Sequence, residues 1–335
     1  ITDRRNIMGT LTDFKIYDTE FFGGLTEVAE QASIEMGSGS AGTINIVSNN
    51  QKGEFERESF FSHVNGLVTR RDNTSIADVA DKDMAQGEIV GVKINSRIGP
   101  VAQTIDSFKK IDQDPSLMSF ALGQMYGNDI VLDYLNTSLT SVVAAMSSEA
   151  DMVLDIVAST ETDKTPRYEY LVRTLAKMGD RASRVKAWVM PSAAYYSLME
   201  NAITDKITNV ADVAIYEASI GSLNRPVMVT DADALVQVGG ADGVSDDVYR
   251  ILALTEDAIT INQSEDSTIH SSIVDGKESL LMRLQGETAH TVGIKGFAYT
   301  GTASPTDAEL ANSANYSYSF SDVRSGPGVM LEVNI

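Results

Sequence analysis

The run GSGSAG sets glycines at 37, 39 and 42, the G-x-G-x-x-G spacing of a dinucleotide cradle. That chemistry needs a strand, then the glycine turn, then a helix whose N-terminus faces the pyrophosphate. Here a helical pattern from Leu25 to about Met36 comes first and a strand-like TINIV follows, so the run reads as a flexible link. No G-x-x-x-x-G-K-[ST] occurs, which removes a P-loop. The three histidines, His63, His270 and His290, lie at no metal-ligand spacing from each other or from a carboxylate pair, and read as packed or surface side chains. Asp231 and Asp233 follow the strand-like PVMVT, where an α/β enzyme can hold a catalytic carboxylate. A loop with a helix cap leading into DADAL is the favoured reading. Asp242, Asp246 and Asp247 fail the calcium-loop spacing, and Ser192 and Ser304 sit in no nucleophile elbow. With no cysteine, thiolate metal sites and disulfides are excluded, which suits a chain made in a reducing cytosol. No catalytic residue, metal or cofactor is expected.

Charge narrows the classes further. The 335 residues carry a formal net charge of −21, the wrong sign for gripping phosphates. A wall that must enclose nucleic acid without holding it is well served by that charge. The N-terminal ITDRRNIMGT has no apolar signal core, no apolar run approaches the ~20 residues of a bilayer span, and no membrane partner is expected.

The elements that would position any working surface are unusual. Phe14, Ile16, Tyr17, Phe21 and Phe22 bring apolar side chains to residues 1–52 without a core of their own, as an arm that packs on something else would. Residues 53–98 read as a long hairpin. Phe55, Phe60, Phe61, Val64, Leu67 and Val68 lie on one arm, the alternating EIVGVKI forms the other, and the polar tip TRRDNTSIADVADKDMAQG joins them. Such a hairpin cannot bury both faces on its own body. Arg70 and Arg71 at its tip are either solvated or paired with carboxylates of a neighbour, and the two readings stand even. Asp114 as cap and Pro115 as first residue open a helix of roughly 30 residues, ~45 Å long, with Leu117, Phe120, Met125, Leu132, Leu135, Leu139, Val142 and Met146 at helical spacing. Gly123 and Gly127 either weaken it or mark close packing.

Beyond residue 150 the pattern is α/β. RYEYLVRTLAKMG is an amphipathic helix ending at Gly179, VKAWVM a buried strand with Trp188 in the core, and PSAAYYSLMENA a helix behind Pro191. PVMVTD, YRILALTEDAITI, HTVGIKGFAYT and GVMLEVNI read as strands, GGADG as a turn, and SPTDAELANSANY as a short helix capped by Ser304 or Thr306.

This order of parts resembles the major capsid proteins of tailed double-stranded DNA phages, with the Hong Kong 97-type α+β fold. VTRRDNTS and EIVGVKINSRIGPVAQTIDSFKKI are similar to that family's extended loop and its return. SLMSFALGQMYGNDIVLDYLNTSLTSVVAAM is similar to its spine helix. VKAWVMPSAAYYSLM with IGSLNRPVMVTDADAL is similar to its axial core, and IKGFAYTGTASPTDAELANSANYSYSFSDVRSGPGVMLEVN to its C-terminal return. The resemblance implies an N-terminal arm at 1–52, an extended loop at 53–98, a peripheral domain with the spine helix at 99–150, an axial domain at 151–285, and a return to the peripheral domain at 286–335. It implies a shell of pentamers and hexamers built from many copies, enclosing double-stranded DNA without sequence-specific binding, with scaffolding and portal proteins as partners. Assembly contacts are expected at Phe21, Phe22, Arg70, Arg71, Asp72 and Lys82. Some members join a loop Lys covalently to an Asn. Lys52 and Lys82 match no such pattern, so noncovalent contacts or a decoration protein are implied instead. An encapsulin-like compartment is the nearest alternative. A soluble α/β enzyme would leave hairpin and arm unexplained, and tail or decoration proteins are usually β-rich without so long a helix.

Overall fold

The computed structural model describes residues 21, 23–28, 31, 39–49, 51, 53–61, 68–82, 86–104, 115–207, 225–239 and 247–335. Two β-sheets and a long helix organise them. In the first sheet, β1 (Ile44–Ser48), β9 (Ile259–Val274), β10 (Leu281–Ile294), β3 (Gln86–Thr104), β11 (Phe297–Tyr299) and β12 (Tyr316–Tyr318) follow in that spatial order, and β2 (Phe55–Phe61) pairs with β3. In the second, the order is β4 (Val153–Asp155), β13 (Gly328–Val333), β8 (Val248–Thr255), β5 (Val185–Met190) and β6 (Val227–Val229), with β7 (Val236–Gln237) on β8.

The long helix, α1, runs Pro115–Ser147, about 50 Å at the helical rise. Pro115 stands first, as expected, and Asp114 lies outside the described residues. The last turns are buried all round: Leu139, Val142, Ala145 and Met146 have no exposed surface. Met125 and Leu132, on the apolar period by sequence, are instead 63% and 55% exposed. Together with Asp129 and Asn136 they form the solvent-facing stripe of the first half of the helix. Leu122–Ser147 has the length and mean hydropathy of a membrane span, although no single apolar run in it does. Of that window 61% is buried within this chain, as in the core helix of a soluble protein.

Two cores share the second sheet. One joins α1, the first sheet and one face of the second, through Leu252, Leu254 and Met330. The other lies between the opposite face, through Trp188, Ile251, Ala253, Val329 and Leu331, and α2 (Tyr168–Lys177) with α3 (Ser192–Ile207). Alternation along β8 and β13 sends successive side chains to opposite faces. A strand buried on both faces therefore reads as the unbroken apolar run seen in ILAL and GVML.

The two sheets draw their strands from distant stretches of the chain. YRILALTEDAITI is not one strand. It breaks at Glu256 and Asp257, where Asp257 has φ of 53°, and passes from β8 in the second sheet to β9 in the first. Residues 259–274 thus lie between β1 and β10 in the first sheet, within the span 151–285. The final strand β13 joins β4 and β8 in the second sheet, within the span 286–335. HTVGIKGFAYT also divides, at Gly296 with φ of 78°. Asp231 caps a helix other than the expected one: its carboxylate accepts the Ser192 N–H at 2.8 Å at the start of α3, and that bond holds its pKa below the usual range. The short α4 (Asp307–Leu310) has the expected Thr306 cap, completed as a capping box by Glu309.

Candidate assembly surfaces

The hairpin is rooted in the first sheet and leaves it. β2 pairs antiparallel with β3 from Phe55 opposite Val92 to Phe61 opposite Gln86, while β3 continues to Thr104 against β10. Its 19 residues make one strand about 60 Å long at the usual rise, paired with β2 and β11 over its first half and with β10 over its second. The root is pinned by aromatic and polar contacts. Phe60 meets Phe320 edge-on with centroids 4.9 Å apart, and the Ser319 hydroxyl donates to the Glu88 carbonyl at 2.7 Å. Gly87 makes room for that ring, since a Cβ there would lie 2.5 Å from Phe60 Cζ.

Every residue from 68 to 82 is exposed. Val68, Ile76 and Val79 are between 87% and 102% exposed, an arrangement that costs free energy in water. Val68 was expected on the hairpin arm, whereas Ile76 and Val79 stand in a stretch without strand or helix period and carry no signal in the sequence. The tip's polar groups are bonded locally. Asp72 accepts from the Thr74 N–H at 2.9 Å and the Thr74 hydroxyl at 2.7 Å, an Asx turn that lowers its pKa. The Arg71 guanidinium donates to Asn73 Oδ1 at 3.1 and 3.3 Å, and Arg70 has no hydrogen bond or ion pair among the described residues. Lys82 is exposed at the far side of the tip.

The N-terminal residues behave differently. Phe21 is buried, edge-on to Tyr126 of α1 in its own chain with centroids 5.5 Å apart. Phe14, Ile16, Tyr17 and Phe22 lie outside the described residues. The helical residues 21, 23–28 and 31 lie close against α1, with Gly24 facing Phe120 and Gln124, Gly123 facing Phe21 and Leu25, and Gly127 facing Leu25 and Val28. A Cβ on Gly24 would lie 2.4 Å from the Phe120 carbonyl oxygen, and one on Gly123 would lie 2.2 Å from that of Phe21. The α1 glycines therefore serve close packing. For Gly123→Ala the expected cost is about 2 kcal/mol, the usual penalty of overpacking. Cleavage after Glu27 by a glutamate-specific protease should then rise about tenfold or more. An unchanged digestion rate would mean that the two backbones are not held at this distance in solution.

His290 is the one histidine enclosed among the described residues, and His270 is exposed; His63 lies outside those residues. His290 stacks on Tyr134 at 4.3 Å between centroids, and its Nε2 is 3.0 Å from Thr137 Oγ1. The Thr137 hydroxyl also lies 2.7 Å from the Asp133 carbonyl, and His290 Nδ1 is buried without a partner among the described residues. Burial pushes the pKa of His290 down to about 4. Among the described residues no group of three His, Asp or Glu is placed to hold a metal ion. Asp242 and Asp246 lie outside them, and Asp247 accepts the Gly239 N–H at 2.8 Å.

Residues 13–330 match the family described as Gp13-like, major capsid protein 13-like. Among solved structures, the chain is similar to that in the cyanophage Pam1 capsid asymmetric unit at a TM-score of 0.54 and 10% identity, covering 87% of this chain and 88% of that one. The capsid of Ralstonia phage GP4 gives 0.51 and 11%, covering 87% of each chain. No curated protein sequence matches. At these identities the likeness concerns the fold, which is the mixed α+β capsid fold expected from the order of parts. The family match spans nearly the whole chain and fixes its affiliation: this is a member of the Gp13-like major capsid protein family, whose business is building phage capsid shells.

Proposed function

We propose that copies of this chain assemble as pentamers and hexamers into an icosahedral shell around the double-stranded DNA of a tailed phage. The chain acts as wall material and not as an enzyme. Assembly takes place in the host cytoplasm with scaffolding and portal proteins, and a decoration protein or noncovalent contacts alone reinforce the finished shell. The second sheet with α2 and α3 makes up the part that meets at five-fold and six-fold axes, and α1 with the first sheet the part that meets between them.

The observation that carries this reading is the exposed tip at 68–82, with Val68, Ile76 and Val79 in water and no support from its own body. Copies lying side by side supply the missing surface, and Arg70, Arg71 and Lys82 then gain carboxylate partners across the contact. Replacing residues 69–85 by a short Gly-Ser link is expected to leave a soluble, folded chain that closes no shells, read by electron microscopy of the sedimented fraction. Shells of normal size and number from that variant would remove the loop from assembly.

A further inference from the structure

One concave surface stands out against the acidity of this chain. At the junction of the two sheets, a cleft of about 420 Å3 is lined by Arg184, Lys186, Lys295 and Arg324, with Glu256 and Asp257. Four cations against two carboxylates gather here in a chain of net charge −21. Their own bonds leave them underused. Lys186 reaches Glu256 only at 3.8 Å, and Lys295 Nζ donates to the Glu256 backbone carbonyl at 2.6 Å. Arg324 is shared between Asp180 at 3.2 Å and Asp322 at 3.9 Å, and Arg184 has no hydrogen bond or ion pair among the described residues.

The loop apex has the opposite character. Between Arg71 and Lys82 stand Asp72, Asp78 and Asp81 with no cation. Asp72 is engaged in its turn with Thr74, but Asp78 and Asp81 have no hydrogen bond or ion pair among the described residues, and Ile76 and Val79 beside them are fully in water. In extended chain Asp78 and Asp81 are about 10 Å apart between Cα atoms and point to opposite sides, so each can meet a cation on a different wall of the cleft.

We propose that the acidic apex of the loop, residues 72–81 of one copy, seats in the cationic cleft around Arg184 and Lys295 of a neighbouring copy. This rests on the shell reading above and names the surface that receives the loop. Asp78 and Asp81 form charge-assisted bonds with the cleft's cations, and Val79 lies on the aliphatic stems of the Lys and Arg side chains. Packaged DNA is the other anion available to such a cleft. A phosphate track is best met by a row of cations free of acids, whereas Glu256 and Asp257 share this lining. A short segment carrying few charges fits better.

Charge exchange tests the pairing. Asp78→Lys with Asp81→Lys makes the chain less acidic, so relief of general repulsion would help assembly. Seating in the cleft predicts the reverse, a loss of shell yield of about tenfold or more. Arg184→Glu with Lys295→Glu should do the same, and all four substitutions together should restore the yield. Because the natural chain has no cysteine, Asp78→Cys with Arg184→Cys should also give disulfide-linked ladders of assembled copies on a non-reducing gel. Failure of the fourfold variant to recover, or absence of ladders while both thiols react with maleimide, overturns the pairing. Cleft variants that form normal shells but hold less DNA overturn it in favour of a phosphate site. Unaltered chains that form no shells at all would overturn the shell reading and this one with it; unaltered shells with a failed exchange overturn this one alone.

Discussion

The Gly328→Ala variant is expected to lose about 4 kcal/mol of stability, summing a left-handed-region penalty and an overpacking penalty of ordinary size. Gly328 opens β13 with φ of 149°, a conformation that L side chains rarely adopt. A Cβ there would lie 2.0 Å from the Ala253 carbonyl oxygen and 3.0 Å from its carbon, both backbone atoms of β8, the strand between β13 and β5. No side-chain rotation relieves such a contact, so the strands must part, and both cores lie against them. Melting followed by circular dichroism should show a midpoint lower by about 5–10 °C. A variant melting with the parent would mean that β8 and β13 separate freely at this end.

Acid should weaken the molecule through His290. Its folded pKa, about 4, lies below the ordinary value of 6.5 because burial disfavours the cation. A base depressed in this way contributes nothing adverse while both states are neutral, above about pH 6.5. As pH falls from there towards 4, the unfolded chain takes up a proton that the folded one refuses, and stability is lost. The full loss is about 3 kcal/mol, from 1.36 kcal/mol per pKa unit. Asp133, on the facing helix, works the other way: burial raises its pKa, so its contribution to stability is greatest in acid and is lost as pH rises. Comparison with His290→Gln separates the two. The parent should lose about 3 kcal/mol more than the variant between pH 7 and pH 4, by denaturant titration. Parallel pH profiles would place the proton elsewhere.

Some of this architecture was legible in the residues. Pro115 and the apolar recurrence beyond it give α1 to within a few residues, and the alternation of EIVGVKI gives a strand inside β3. The capping box at Thr306 and Glu309 reads directly from their spacing. Partnership was harder. The period of a strand says which side chains share a face and says nothing of which strand lies alongside, so the pairings of β9 with β1 and β10, and of β13 with β4 and β8, have no signal in the residues. The solvent face of α1 carries Met125 and Leu132 because the N-terminal helical residues and the first sheet cover its other sides, and no helical wheel of α1 alone contains that information. Asp231 caps a helix that starts 39 residues earlier. The cationic cleft gathers Arg184, Lys186, Lys295 and Arg324 from three separate stretches of chain, which no sequence spacing joins. Arg70, Arg71, Asp72 and Lys82 were found where the spacing put them, on the tip.

The position of β13 bears on when a subunit becomes ready to be used. Residues 328–333 are made almost 140 positions after β5, yet they fill the gap between β4 and β8 and close both cores at once. While the ribosome still holds them, Ile251, Leu252 and Leu254 face an empty slot, and β4 has no strand to pair with. A chain made only as far as β12 therefore has no finished body to offer its neighbours.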